Sequence, residues 1–192
     1  SRGLGDVYKR QTNVIRSVST AFFVIVNSFA ATTGSLVSNL LGAGQKAQVI
    51  PLCNRIVRLG YAIGFPLVIL ALIFYRSIIG IYTESTFLMQ IAHLPFMVML
   101  LNYVFALPGY VYMNAVTGTG ATRMTFIFQL ITIVAYQIYL WSISSFSTSL
   151  SVYWTAEYLY VILLGLLSVI YLKYKRYYCL LYTSPSPRDM RR

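Results

Sequence analysis

Long stretches of this chain are apolar on every face of the helical pattern, without the polar face that a soluble helix keeps. Crossing the hydrocarbon core of a bilayer takes roughly 20 mostly apolar residues in a helix. Five stretches reach that length: residues 14–41, 56–74, 91–116, 124–143 and 153–172. No stretch alternates apolar and polar residues as the strands of a transmembrane β-barrel do. The pattern predicts an all-α, polytopic membrane protein with about five transmembrane helices.

The two ends of the chain do not share this pattern. Residues 1–11 read SRGLGDVYKRQ and residues 179–189 read CLLYTSPSPRD. One DNA word that encodes the first segment also encodes the second, when its reverse complement is read in the second frame. The word resembles the adapter that transposase-based sequencing libraries attach to both ends of a fragment. We therefore interpret residues 1–11 and 179–192 as adapter-derived, and we expect them to have no defined structure.

Charge and composition exclude several classes of function. The chain has 15 Lys and Arg residues against 4 Asp and Glu residues, for a net charge of +11. The two end segments hold six of the basic residues and two of the acidic residues, so residues 12–178 have a net charge of +7. These basic residues are scattered between apolar runs, which does not indicate nucleic-acid binding. The chain has one histidine, and Cys53 is the only cysteine outside the end segments. We therefore predict that it has no metal site and no catalytic residue and that it is not an enzyme.

The distribution of the basic residues predicts the orientation of the helices. Seven basic residues fall on one side of the alternating path and two on the other. The positive-inside rule places the larger group in the cytoplasm. We therefore expect a multi-pass protein of the cell (inner or plasma) membrane whose C-terminal end is cytoplasmic. The larger group is Lys46, Arg55, Arg58, Arg123, Lys173, Lys175 and Arg176, and the other side has Arg16 and Arg76, the latter near Glu84.

Two glycine motifs follow predicted helices. SLVSNLLGAGQKAQ ends the first helix, where Gly34 and its small neighbours allow another backbone to come close. TGTGATR lies between the third and fourth helices, and both motifs predict turns. With these motifs, and with VYWTAEYLYVILLGLLSVIYLKYKRY over the last helix, residues 12–178 resemble the multidrug and toxic compound extrusion (MATE) family.

The resemblance implies a transporter of twelve helices in two six-helix lobes. Residues 12–178 would be helices eight to twelve, a partial C-terminal transmembrane lobe. The implied function is that of a cation-coupled multidrug or xenobiotic efflux antiporter, in which H⁺ or Na⁺ enters while a drug-like, often cationic molecule leaves. It implies no cofactor. The expected partners are membrane lipid, such small molecules and the missing N-terminal lobe of the same chain, so the chain alone should not transport.

Polar and aromatic residues inside the predicted helices are candidates for lining a substrate path. The third helix is the strongest, because Pro108 removes a backbone donor and bends the helix, and bent helices line transporter cavities. Tyrosine rings suit aromatic or cationic molecules by stacking and cation–π contact. The alternative, that these residues only pack helices together, stays open. The candidates are Asn27, Asn102, Tyr103, Tyr110, Tyr112, Asn114 and Tyr136.

Two acidic residues lie outside the end segments. Glu84 is expected in a solvated outer loop. Glu157 lies at the outer start of the fifth predicted helix, where it is either a first-turn acid favoured by the helix dipole or a residue of an outer vestibule. The third helix has no acid at its middle. A coupling carboxylate, where the mechanism needs one, is therefore expected on helices outside this sequence.

Two other functions stay open. A lipid-linked saccharide flippase of the same superfamily would need a cationic central cavity, whereas the predicted intramembrane part is nearly uncharged. A non-transporting membrane scaffold would confine its polar residues to helix–helix contacts.

Overall fold

The computed structural model describes residues 2–80, 86–145 and 150–181, and these form helices joined by short turns, with no strand among them. A single 3₁₀ turn, Lys46–Gln48, precedes the second helix. The α-helices are α1 (Arg2–Gly42), α2 (Val49–Ile73), α3 (Tyr75–Gly80), α4 (Thr86–Gly118), α5 (Thr122–Ser144) and α6 (Leu150–Leu181).

Five of these helices are long and apolar enough to cross a membrane. The five spans are Ser19–Gly42, Lys46–Ile73, Phe96–Gly118, Thr122–Ser144 and Thr155–Tyr174. The predicted all-α, polytopic membrane fold is therefore confirmed.

Several helices extend beyond the stretches that hydropathy predicted. α2 begins at Val49 rather than near residue 56, so Arg55 and Arg58 lie inside the helix and not in the loop before it. α6 begins at Leu150, which places Glu157 two turns into the helix and rules out the first-turn role. Hydropathy detects only the part of a helix that suits lipid. A nucleated helix continues beyond that part, because each further residue adds a hydrogen bond.

The same effect applies at the ends of the chain. The backbone is helical over residues 2–11 and 179–181, so the expectation that these segments have no defined structure is wrong there. The origin of residues 1–11 and 179–192 in an adapter is a statement about DNA, and it stays a prediction.

α4 is the central helix of the bundle. It contacts α1, α2, α5 and α6, most extensively α1 and α6. Its length is rich in fully buried apolar side chains, which form the centre of the core. These are Phe96, Leu100, Leu107, Val111 and Val116.

Glycines allow α4 to approach its two main neighbours closely. At the α1 crossing, a Cβ added to Gly118 would lie 3.1 Å from the Cα of Gly34. At the α6 crossing, a Cβ added to Gly109 would lie 2.6 Å from the carbonyl oxygen of Val161, and one added to Gly165 would lie 3.1 Å from the Cα of Gly109. The close approach predicted at Gly34 is therefore confirmed.

The two glycine motifs form the turns that the sequence predicted. Gly44 has a φ of 75° and Gly120 a φ of 80°, both in the left-handed region. After α1, the Gln45 amide donates to the carbonyl of Leu40 at 2.9 Å and the Gly44 amide to that of Leu41 at 3.0 Å. This pair of bonds is the Schellman arrangement, in which glycine takes the left-handed position.

Three helix ends bring basic residues to one end of the bundle. The Thr117 and Thr125 hydroxyls lie 3.1 Å apart and join the end of α4 to the start of α5. The Phe128 and Tyr171 rings pack edge to face at 5.8 Å and join the start of α5 to the end of α6. We name this the basic end. Its described basic residues outside α2 are Lys46, Arg123 and Lys173.

Candidate functional site

Glu157 is a carboxylate within the membrane-spanning part of α6. It lies near the start of the span Thr155–Tyr174, at the end of the bundle opposite the basic end. Its side chain is half-buried, and it is the only carboxylate among the side chains that the structure describes. An ionisable group within a membrane span is costly and is found mainly where it faces protein or a water-filled cavity. Glu157 is therefore the first residue to consider as functional.

Tyrosines from three helices lie near this carboxylate. Tyr110 of α4, Tyr136 of α5 and Tyr160 of α6 each lie close enough to Glu157 to interact with its charge. The Tyr136 and Tyr160 rings pack edge to face, with centroids 6.3 Å apart. The Tyr160 hydroxyl also lies near the side chain of Thr132 on α5, whose hydroxyl donates to the carbonyl of Gln129 at 2.8 Å. We name these five residues the Glu157 cluster.

The helix crossings hold the members of the cluster in place. Tyr110 follows Gly109, so the closest contact between α4 and α6 is next to it in the chain. Glu157 and Tyr160 are three residues apart and share one face of α6. A hydrogen bond of 3.0 Å between the Tyr139 and Thr155 hydroxyls joins α5 to α6 close by. The contacts between α4 and α6 and between α5 and α6 therefore hold the cluster residues in their relative positions.

The cluster combines donors that suit a monovalent cation. Carboxylate and hydroxyl oxygens are the ligands that hard cations take. The faces of tyrosine rings attract organic cations. Among the described residues, no group of three His, Cys, Asp or Glu side chains could hold a metal ion. The cluster thus places a single carboxyl group, that of Glu157, near several tyrosine rings.

The candidates Tyr103 and Tyr112 contact α2 instead. The Tyr103 hydroxyl donates to the carbonyl of Gly60 at 2.9 Å, and its ring lies against Gly64 with 3 % of the side chain exposed. The Tyr112 hydroxyl donates to Oδ1 of Asn54. Both tyrosines thus join α4 to α2, away from the Glu157 cluster.

The three candidate asparagines lie in different settings. Asn114 donates from Nδ2 to the carbonyl of Tyr110 at 3.0 Å and lies beside Gly34 of α1. Asn27 is on the exposed face of α1. Asn102 is half-buried, and its Oδ1 is fully buried without a hydrogen-bond partner among the described residues. The structure does not bring the asparagines together.

Sequence reasoning selected Tyr110, Tyr136 and Glu157 but missed Tyr160 as a candidate. The spacing of Tyr160 from Glu157 was the available signal, because residues three apart lie on one helix face. Glu84 lies outside the described residues.

Comparison with known proteins identifies the family. A family model described as MatE matches residues 12–141, which is more than half of the chain. The match includes both glycine motifs, Tyr110 and Tyr136, whereas Glu157 and Tyr160 lie beyond it. No curated protein and no solved structure matches the chain significantly. The chain therefore belongs to the MatE family of membrane transporters.

Proposed function

We propose that residues 12–178 are part of a cation-coupled efflux antiporter, which exchanges H⁺ or Na⁺ for drug-like cationic molecules. The observation that carries the proposal is the Glu157 cluster, a carboxylate within a membrane span that has tyrosines of three helices nearby. Coupling ion and substrate would both be cations, and the carboxylate of Glu157 can serve both. This proposal replaces the expectation that the coupling carboxylate lies on helices outside this sequence.

The distribution of charge supports a cationic ligand. The described basic residues that lie within or beside the spans on α2, α5 and α6 are near the basic end, and Glu157 is at the other end. A ligand at the Glu157 cluster therefore lies beside the one described carboxylate and far from these basic residues, although Arg16 of α1 and Arg76 of α3 are on the same side of the predicted membrane. A lipid-linked saccharide carries phosphate and would be repelled there, which makes the flippase function less well supported.

Competition at Glu157 gives a physical basis for exchange. Once protonated, the carboxyl is neutral and no longer attracts an organic cation electrostatically. A proton or sodium ion arriving at the cluster would therefore displace the cationic substrate. By the positive-inside rule we place the basic end in the cytoplasm of the cell and the Glu157 cluster near the outer face. There, an ion supplied from outside would release substrate to the outside.

A second lobe completes the proposal. Alternating access in secondary transporters comes from one repeat rocking against another around a shared site. The five spans described here would be part of one such repeat, and the proposed partner is an N-terminal lobe of the same chain. On this account the present chain binds cations but does not carry out transport by itself.

Efflux measurements test the proposed function. In a full-length gene that carries these residues, we expect Glu157→Gln to lower the export of a fluorescent cationic dye at least about tenfold, a loss of about 1.4 kcal/mol. Asn102→Ala and Tyr110→Ala should reduce export to a smaller extent. The matched control is Tyr158→Phe, which alters the neighbouring residue, whose hydroxyl donates to the carbonyl of Val98. The control should export at close to the normal rate.

Expression at the membrane has to be equal for all variants. Normal dye export by Glu157→Gln would refute the role of the cluster. Dye export that depends on neither an H⁺ gradient nor a Na⁺ gradient would refute cation coupling. Translocation of a lipid-linked saccharide, in the absence of dye export, would favour the flippase.

A further inference from the structure

A shallow groove lies at the start of α5, on the side of the bundle that is not covered by another helix. It has a volume of about 450 Å³ and is lined by Thr122, Arg123, Phe126 and Ile127. Residues three and four apart share one face of a helix, so this is a single surface with a cation at one end and apolar side chains beyond it. Such a surface matches an amphiphile with an anionic head.

Arg123 has no acidic partner in the part of the chain that the structure describes. Its side chain is exposed, and the only described carboxylate, Glu157, lies at the opposite end of the bundle. Lys173 is also exposed and follows Tyr171, whose ring packs on Phe128 of α5. A second positive charge therefore lies at the same end of the α5–α6 pair. A guanidinium group can bind phosphate through two parallel hydrogen bonds. Arg123 therefore gives the groove a preference for a ligand that carries phosphate.

The position of the groove selects a lipid over a soluble anion. The span of α5 begins at Thr122, so Arg123 lies at the membrane boundary, where phospholipid head groups are. Beyond the groove, α5 continues to expose large apolar side chains along one side, as a surface that faces acyl chains does. These include Leu130 (54 % exposed), Val134 and Ile138.

We propose that this groove binds an anionic phospholipid, with the lipid phosphate at Arg123 and an acyl chain along Phe126 and Ile127. Basic pockets at the cytoplasmic side of membrane helices bind anionic head groups in this way. The site is separate from the Glu157 cluster, and it does not depend on the proposed transport function.

Native mass spectrometry of the full chain in a neutral detergent tests the proposal. We expect phosphatidylglycerol to bind more tightly than phosphatidylcholine. Arg123→Gln should weaken phosphatidylglycerol binding about fivefold, the factor that corresponds to about 1 kcal/mol for one basic side chain near an anionic surface. The matched control is Arg58→Gln, an exposed arginine on α2, which should change binding less than about twofold.

A second variant keeps the test independent of the fold around Arg123. Ile127→Glu places a carboxylate one turn after Arg123, where it competes with phosphate and still favours the helix. It should abolish the preference for phosphatidylglycerol while the helical content measured by circular dichroism stays unchanged. The proposal fails if either variant binds phosphatidylglycerol as the unaltered chain does. It also fails if glycerol phosphate displaces the lipid at equal concentration, because the groove would then bind free phosphate.

Discussion

The two sides of α4 both carry tyrosines, but they place the hydroxyl groups in different surroundings. Toward α2, the Tyr103 hydroxyl donates to the carbonyl of Gly60, and in return Tyr61 of α2 donates to the carbonyl of Val104. On the other side, the Tyr110 ring packs edge to face on Phe23 of α1 at 5.3 Å, and Tyr110 lies close enough to Glu157 and Tyr160 of α6 to interact with their charges. The same residue type therefore joins helices on one side of α4 and lies near a charge on the other.

This difference separates packing from function. A hydroxyl that donates to the backbone of the next helix has used its donor, and the bond fixes the helix pair. Interhelical hydrogen bonds in membranes contribute only about 0.6 kcal/mol on average. A hydroxyl beside an ionisable group within a membrane span has a partner whose charge can change. Removing a hydroxyl on the α6 side should therefore change ligand binding, and removing one on the α2 side should change stability.

The largest effect is expected where the α6 side depends on close packing. Gly109→Leu would force α4 from α6, because even a Cβ at this position would lie 2.6 Å from the carbonyl oxygen of Val161. We expect the free energy of unfolding in detergent to fall by about 1–3 kcal/mol. Binding of a lipophilic cation should be lost at the same time, because Tyr110 moves away from Glu157.

Gly42→Leu is the matched control for this variant. Gly42 ends α1, and a Cβ added there has no atom within 4 Å. It should leave both measurements nearly unchanged. Unimpaired stability of Gly109→Leu would mean that the crossing is looser than the structure shows.

A gain in stability is expected at Asn102. Its Oδ1 is buried without a partner among the described residues, and such an oxygen costs about 1–3 kcal/mol. Asn102→Leu should raise the free energy of unfolding of the chain by about 1 kcal/mol, and in a full-length gene it should lower dye export. Unfolding curves in detergent measure the first effect. A loss of stability would show that the oxygen has a partner in the folded protein.

The smallest effects distinguish the two sides most clearly. Tyr103→Phe removes the bond to Gly60 and should lower the free energy of unfolding by about 0.6 kcal/mol without changing cation binding. Tyr110→Phe should do the reverse, weakening cation binding while the stability stays the same. Parallel unfolding and dye-binding titrations decide this. Equal behaviour of the two variants would remove the distinction between the sides.

The sequence predicted those features of the fold that depend on local chemistry. Long apolar stretches identified the five spans, and the glycines of the two motifs identified the turns at Gly44 and Gly120. The close approach at Gly34 followed from its small neighbours. Helix ends were harder to predict, because hydropathy does not show that α2 begins several residues before residue 56 or that α6 begins two turns before Glu157.

The site was only partly predictable for a geometric reason. Glu157, Tyr110 and Tyr136 are on three helices, and their meeting depends on how each helix is rotated about its axis. For α4 and α6 that rotation depends on the close crossing at Gly109 and Gly165, which composition does not reveal. The same limit explains why Tyr103 and Tyr110, seven residues apart on one helix, could not be assigned different surroundings from the sequence.

The central claim is that Glu157 gives the bundle its affinity for cations, and binding of tetraphenylphosphonium to the purified chain at a series of pH values tests it most directly. The unaltered chain should bind the probe more tightly as the pH rises and the carboxyl loses its proton. Glu157→Gln should bind about tenfold more weakly at the high end of the series, a loss of about 1.4 kcal/mol, and should show no pH dependence. Equal affinity and equal pH dependence in the two proteins would contradict the account.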